Sequence, residues 1–514
     1  MVVSDDLFEL IRSLSRAEKS YFKKFSTIHV VGERNNYVRL FDAIEEMKEY
    51  NESKLLKKFE GEKFVNQFSV AKNYLYNSIL KSLKSYRKPK TKKEEVKDLL
   101  LSVSVLYDRG LFGQCRKILR KCRKLAGLYE NYGEVIEILV WELKILIQEK
   151  AYDTRSKNVV NRNYEERKKV LGVIENMYGY DRLEYNITLY ALYEKEQDKK
   201  KYIGELKRLM SDPLMTGEEK ALSTVAKLKY FTIKALYFYV TEDTENSLKY
   251  LKKEIKLLED TPPMLEEKKT DYFILYGNML SMTLTLNKLK SFENEVFDFR
   301  AKMSSPLARG SGQIIFYILR SSYLLLMQYY LKTGDYKKII DTGMKMLKEL
   351  EENHFELNIV DTFTVDHRIS YAYFLLQDFD GALEWSNRIL NNREAEEKYR
   401  NYYLARIYNL IIHFELGNID LLEYQVRSTY AYFLKRKSVT PFEKVVFAFL
   451  RKLPGAIDNE ELKELFKELR YNLKKIEKDA SFKEVKGYFD FISWLESKAE
   501  KRSMAEVLKD IPYS

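Results

Sequence analysis

The sequence predicts an all-α fold: an α-solenoid of antiparallel helix pairs with no β-sheet. Three observations carry that expectation. Nineteen glycines and eight prolines in 514 residues are too few turn-formers for a strand-rich chain of this length. Hydrophobic residues at 45% exclude a disordered chain, and 32% charged residues exclude a membrane bundle. Finally, a turn pattern recurs at a near-constant period, as stacked repeats require.

Each copy has a turn, an aromatic or large apolar residue two positions on, and a smaller residue three further. It reads Gly110–Phe112–Cys115, Gly334–Tyr336–Ile339, Gln377–Phe379–Ala382 and Gly417–Ile419–Leu422. Weaker copies are Glu242–Thr244–Ser247 and Asn287–Leu289–Phe292. The turns from 242 to 417 are 45, 47, 43 and 40 residues apart, and 132 residues, three periods of 44, separate 110 from 242. Further turns are therefore expected near 154, 198, 61 and 456. Pro89, Pro213, Pro262, Pro263, Pro306 and Pro441 fall midway between turns, where links between pairs belong, because proline ends helices. One link, SVTPFEKVV, spells a helix start: Thr440 as cap, Pro441 in the first turn and Glu443 closing a capping box. Between turns the apolar spacing is helical. In CRKILRKCRKLAG, Cys115, Ile118, Leu119, Cys122, Leu125 and Ala126 form one stripe, with cations opposite. Each unit is read as two helices of roughly 15–20 residues that must stack to bury their apolar faces.

These pairs resemble tetratricopeptide (TPR) repeats, most clearly between 323 and 390. Tyr323, Leu326 and Tyr330 fall at the first-helix spacing of that motif before the Gly334–Tyr336 turn, and Ile369, Ser370 and Tyr373 precede Asp378–Phe379 and Ala382. The period is about ten residues longer than in TPR proteins, and Ile339 and Leu422 stand where alanine is usual, so a HEAT-like stack is the alternative. LFELIRSLSRAEKSYFKKF and LYDRGLFGQCRKILRKCRKLA also resemble a family of uncharacterised TPR-like proteins from the Bacteroidetes. That resemblance implies a cytoplasmic helical-repeat protein and no particular activity. The expected organisation is a basic helical region at 1–94, repeats at 95–440 and a C-terminal helical cap at 441–514.

The net charge of +12 is unevenly placed. Residues 1–124 hold 28 Lys and Arg against 16 Asp and Glu, and the remainder holds 61 of each sign. Between Glu62 and Glu94 no acidic residue occurs, while Lys63, Lys72, Lys81, Lys84, Arg87, Lys88, Lys90, Lys92 and Lys93 do, interleaved with Phe64, Phe68, Tyr74, Tyr76 and Tyr86. Arg116, Lys117, Arg120, Lys121, Arg123 and Lys124 form a second cluster. Cations with aromatics suit a phosphate backbone with exposed bases, although a charge run is also what a solvated face looks like. These segments, from Lys72 on, are the candidate surface for an anionic partner, read as cations without local acidic partners.

Sites of chemistry are not indicated. His29, His354, His367 and His413 are far apart, and the one GxG, Gly310–Ser311–Gly312, lacks a Walker lysine. Cys115 and Cys122, two helical turns apart on an apolar stripe, are expected to be buried, reduced core residues. The opening MVVSDDLFEL has aspartates where a secretory signal needs cations, and Arg320 interrupts the apolar run 310–331. The expectation is a cytoplasmic, non-catalytic scaffold with no cofactor, metal or membrane insertion, holding a protein or peptide on a concave solenoid surface. The alternative is an RNA- or ribosome-associated adaptor docking through residues 63–124. A DNA-binding head would need two helices joined by a tight turn near the start, and the stretch around Gly32 is long for that.

Overall fold

The computed structural model describes residues 6–28, 36–86, 91–149, 154–193, 199–392, 401–435, 439–453, 459–477, 479, 482, 485 and 487–510. These residues form helices and turns with no strand. The expected turns at 198 and 456, together with His29, Gly32 and Pro89, lie outside them. The chain divides into two compact units, 1–170 and 171–514.

In the first unit, helices α1 (Asp6–Ser13), α2 (Arg16–Ile28), α3 (Asn36–Glu45), α4 (Glu52–Lys58) and α5 (Phe68–Tyr86) share one core that includes Ile11, Phe22, Phe41, Ile44, Leu75 and Ile79. The expected turn at 61 is present, with Gly61 at φ +87°. It does not join a repeat pair, however, because α4 has only seven residues and the chain passes through a short 3-10 turn into α5. Helices α6 (Lys92–Tyr107) and α7 (Phe112–Leu128) form the first true pair, and α8 (Tyr132–Gln148) packs on α7.

The regular spacing then breaks. Where one helix pair should have ended and another begun, α9 (Thr154–Tyr193) runs for 40 residues. Its sequence contains no proline, and its second glycine serves packing rather than a turn: a Cβ at Gly179 would meet Leu214 Cδ1 at 2.5 Å. The boundary between the two units falls within this helix.

After α10 (Lys199–Met210), the second unit stacks five pairs: α11 (Thr224–Val240) with α12 (Thr244–Glu259); after α13 (Pro262–Glu267), α14 (Lys269–Thr285) with α15 (Phe292–Ala301); α16 (Gly312–Thr333) with α17 (Tyr336–Glu352); α18 (Ile359–Leu375) with α19 (Phe379–Leu390); and α20 (Asn401–Glu415) with α21 (Ile419–Lys435). Each pair packs on the next, α12 on α14, α15 on α16, α17 on α18 and α19 on α20. Among the described residues four helices follow: α22 (Pro441–Lys452), α23 (Asn459–Lys475), α24 (Phe491–Glu500) and α25 (Met504–Asp510). The capping box at Thr440 and Glu443 forms as expected, with the Thr440 N–H donating to Glu443 Oε2 at 2.8 Å.

All six turns at 110, 242, 287, 334, 377 and 417 adopt left-handed backbone, φ between +53° and +78°. A left-handed residue ends a helix by returning the next N–H groups to its last carbonyls. Gly110, Gly334 and Gly417 do this without a Cβ penalty, whereas Glu242, Asn287 and Gln377 do it against one. The pairs also share a register. The residue seven before each turn and the residue five after it, such as Ser370 and Ala382, are all buried. At 61 the same offsets give Lys54 and Asn66, both exposed, which is why that turn builds no repeat.

Helix α16 is long and apolar enough to cross a membrane by length and composition alone, but half of its apolar window is buried within the protein. Its Arg320 donates to Asp361 of α18 at 2.7 Å.

Candidate functional site

The basic segments are not one field of open cations. On α5, Lys72 is 4% exposed. Its Nζ donates to Tyr50 Oη at 3.2 Å and pairs with Glu52 at 2.5 Å. Burial opposes its charge, but these two partners hold its pKa above the usual lysine value. Lys72 therefore braces α5 against residues 50–52 and is not a surface cation. Farther along, Lys81 and Lys84 are exposed and have no carboxylate partner among the described residues. Arg87, Lys88 and Lys90 lie outside those residues.

The expectation of cations without acidic neighbours also fails on α6 and α7. Lys92 and Lys121 both reach Glu95 at 3.2 Å, and Lys93 lies 3.9 Å from Glu134. Arg116 pairs with Glu149, and Arg123 with Glu142 at 2.9 Å and with Glu166. Glu95 is on α6 itself, but Glu134 and Glu142 lie on α8, Glu149 at its end and Glu166 on α9, so counting charges in a sequence window cannot see these four. Lys117, Arg120 and Lys124 remain exposed without a carboxylate partner among the described residues. At spacings of three and four they share one face of α7. Arg116 and Arg120 also line a cleft of about 330 Å³ with Leu119, Glu142, Ile145, Leu146 and Val159. Of the interleaved aromatics, Phe68 is core; Tyr74 and Tyr86 are exposed but rest on Tyr37 and Tyr21, with ring centroids 4.3 and 4.9 Å apart.

Cys115 and Cys122 are free and buried, as expected. Cys115 Sγ–H points to the Val103 carbonyl at 3.6 Å, and burial pushes the Cys122 thiol up to about 11. A thiol held protonated is a poor nucleophile and metal ligand. Tyr330 and Tyr336 are buried framework residues, with the Tyr330 hydroxyl bonded to Glu293.

The most unusual surface lies on α9. Leu171, Tyr178 and Tyr185 recur every seven residues and are 55%, 68% and 71% exposed, with Leu189 continuing the line. A solvent-facing helix ordinarily turns polar side chains outward. The seven-residue spacing was readable in the sequence. The turns expected near 154 and 198, with a link midway between them, divide that stretch into two helices and so conceal it.

No protein-family profile matches the sequence, and no curated protein matches it. Among solved structures the chain is similar to the crystal structure of a signal transduction ATPase with numerous domains carrying a tetratricopeptide repeat sensor, from Pyrococcus horikoshii. Sequence identity is 14% over 88% of this chain and 68% of that one, with a TM-score of 0.40.

Proposed function

We propose that this chain is a non-catalytic, cytoplasmic scaffold that holds a protein or peptide on its helix stack. The observation that carries this reading is the apolar face of α9. Apolar side chains clustered in solvent are the signature of a surface that another molecule covers, and tyrosine gives contact area at little entropic cost. Leu171, Tyr178, Tyr185 and Leu189 supply such a surface without any group poised for bond-making. Co-purification of the tagged chain from its source cell, with and without nuclease, tests it. A partner should survive nuclease and be lost from the Leu171→Glu, Tyr178→Glu, Tyr185→Glu triple variant, whose helical circular dichroism should be unchanged. A partner that persists on that variant removes the α9 face from the reading.

The second reading, an RNA- or ribosome-associated adaptor, is favoured by Lys81, Lys84, Lys117, Arg120 and Lys124, the described candidates without a carboxylate partner among the described residues. Five phosphate contacts would give a log–log salt slope of about −3.5 on single strands. Changing Lys117, Arg120 and Lys124 to glutamine should flatten it by more than half. Absence of RNA binding at low salt would end this reading.

A further inference from the structure

Twelve residues after each turn comes a buried position. At five turns it holds Cys122, Phe299, Met346, Ile389 and Thr429; at the turn at 242 it holds Glu254. A carboxyl group in a core register contributes nothing that an apolar chain would not pack better, and burying it is costly unless it is paired. Glu254 is 6% exposed. Thr232 Oγ1 donates to its Oε1 at 2.7 Å, while Oε2 has no hydrogen-bond partner among the described residues.

Oε2 itself presents almost no surface to solvent. Glu254 nevertheless borders a cleft of about 490 Å³ between α11, α12 and α14, within the size range of small-ligand sites. The repeat explains why the cleft exists. Nine residues before a turn, the first helix of the next pair places a side chain beside the crossing of the pair before it. Elsewhere in the stack this residue is Leu325, Arg368 or Tyr408, and the Tyr408 hydroxyl donates to the Ser370 carbonyl at 3.2 Å. On α14 it is Asn278, which is short and exposed. The crossing of Ala235 and Ser247 is therefore not overlaid by a large side chain there and forms one wall of the cleft.

We propose that this cleft binds an alkylammonium group, with Glu254 as its counter-charge. One carboxyl oxygen is taken by Thr232, so a single acceptor is left unpaired beside the cleft. That suits the point charge of an ammonium rather than a guanidinium fork, which is best met by two oxygens. The hydroxyls of Ser281 and Thr285 accept further N–H groups, and Leu236, Leu251 and Met282 line the path of an alkyl chain. Burial pushes the Glu254 carboxyl up to about 8; the Thr232 hydrogen bond and Lys268 pull it down, Glu184 and Asp271 push it up. An arriving cation would thus expel a proton at neutral pH. The ammonium could belong to a free amine or to a lysine side chain of a protein. This inference does not depend on what the α9 face holds.

Calorimetry on the full chain, in two buffers of different ionisation enthalpy at pH 7, tests it with n-pentylamine, Nα-acetyl-lysine methylamide and 1-pentanol. At least one amine should bind with proton release, and pentanol should not bind. Glu254→Gln should weaken the amine about tenfold or more, the scale of a hydrogen bond to a charged group. Asn278→Tyr, which fills the cleft as Tyr408 does in its own pair, should abolish binding while leaving Glu254 and the helix content in place. It decides the question if Glu254→Gln fails to fold. Binding of the lysine derivative alone assigns the group to a protein side chain, and binding of pentylamine alone to a free amine. Equal binding of pentanol, no binding of either amine, or amine binding unchanged in the folded variants would overturn the proposal.

Discussion

The six helix pairs fall into two kinds that share a turn and a register but not a spacing. In the pairs turning at 110, 242 and 377, one or both crossing residues are small: Val103 with Cys115, Ala235 with Ser247, Ser370 with Ala382. The backbones come close enough for a side chain to reach across. Ser247 Oγ donates to the Ala235 carbonyl at 2.8 Å, and Ser370 Oγ to the Ala382 carbonyl at 2.6 Å. Cys115 makes the same contact with Val103. In the pairs turning at 287, 334 and 417 the same positions hold Leu280 with Phe292, Met327 with Ile339, and Leu410 with Leu422, all at most 1% exposed. Those helices stand farther apart and have less backbone in contact. A single register thus tolerates two spacings, provided both crossing residues agree on one. The Glu254 cleft lies where a close pair meets a wide one.

The largest effect should come from emptying a wide crossing. Phe292→Ala leaves a cavity that α14 and α15 cannot close without breaking the turn at 287, and is expected to cost about 3–5 kcal/mol in urea unfolding. A loss under about 1 kcal/mol would mean that wide pairs can collapse to the close spacing, and the two kinds would merge. A comparable effect depends on pH. The folded pKa of Glu254, about 8, lies above its ordinary value near 4.5, so the folded state holds a proton that the unfolded state releases between those values. Stability relative to Glu254→Gln should therefore be full below about pH 4.5 and fall up to pH 8, by at most about 1.4 kcal/mol per unit. A flat difference across that window would show the carboxyl to be solvated.

Overfilling a close crossing should matter somewhat less. Ala382→Leu drives a branched chain into the α18 backbone beside Ser370 and should cost about 1–3 kcal/mol, whereas Leu422 occupies the matching place in a wide pair without strain. Next in size is Gly334→Ala, expected to cost about 1–2 kcal/mol from the left-handed backbone alone, since a Cβ there would meet nothing closer than 3.9 Å.

Much of this fold was legible from the turns. Gly110, Gly334 and Gly417 mark them because left-handed backbone favours glycine, and the period of about 44 followed from their spacing. The unbroken run of α9 past the link expected midway between 154 and 198 was not legible. Polar stretches such as EERKK are compatible with a link and with a solvated helix alike, and only tertiary packing of Gly179 on Leu214 separates the two. Ile339 and Leu422 looked like departures from a small-residue rule. The structure shows them as the large half of a matched pair, with partners Met327 and Leu410 twelve residues earlier. The charge reading was least secure, since Lys72, Arg116 and Arg123 are neutralised by glutamates that only the fold brings near. Glu254 could have been found: once the register is known, it is the one carboxylate among six core positions.

The smallest expected effect tests the turn itself and has the opposite sign. Gln377 closes a close pair at φ +62°, a conformation that its Cβ disfavours by roughly 1–2 kcal/mol. It is exposed, so its side chain gives back little by packing. Gln377→Gly removes the strain but loosens the unfolded chain, which returns roughly 0.4–1 kcal/mol of the gain. The net should be a stabilisation of at most about 1 kcal/mol, seen as a higher urea midpoint with an unchanged slope. Gln377→Ala should gain nothing, because alanine keeps the Cβ. If glycine and alanine behave alike at 377, the turn is not what sets the pair, and the crossing residues Ser370 and Ala382 alone fix its spacing.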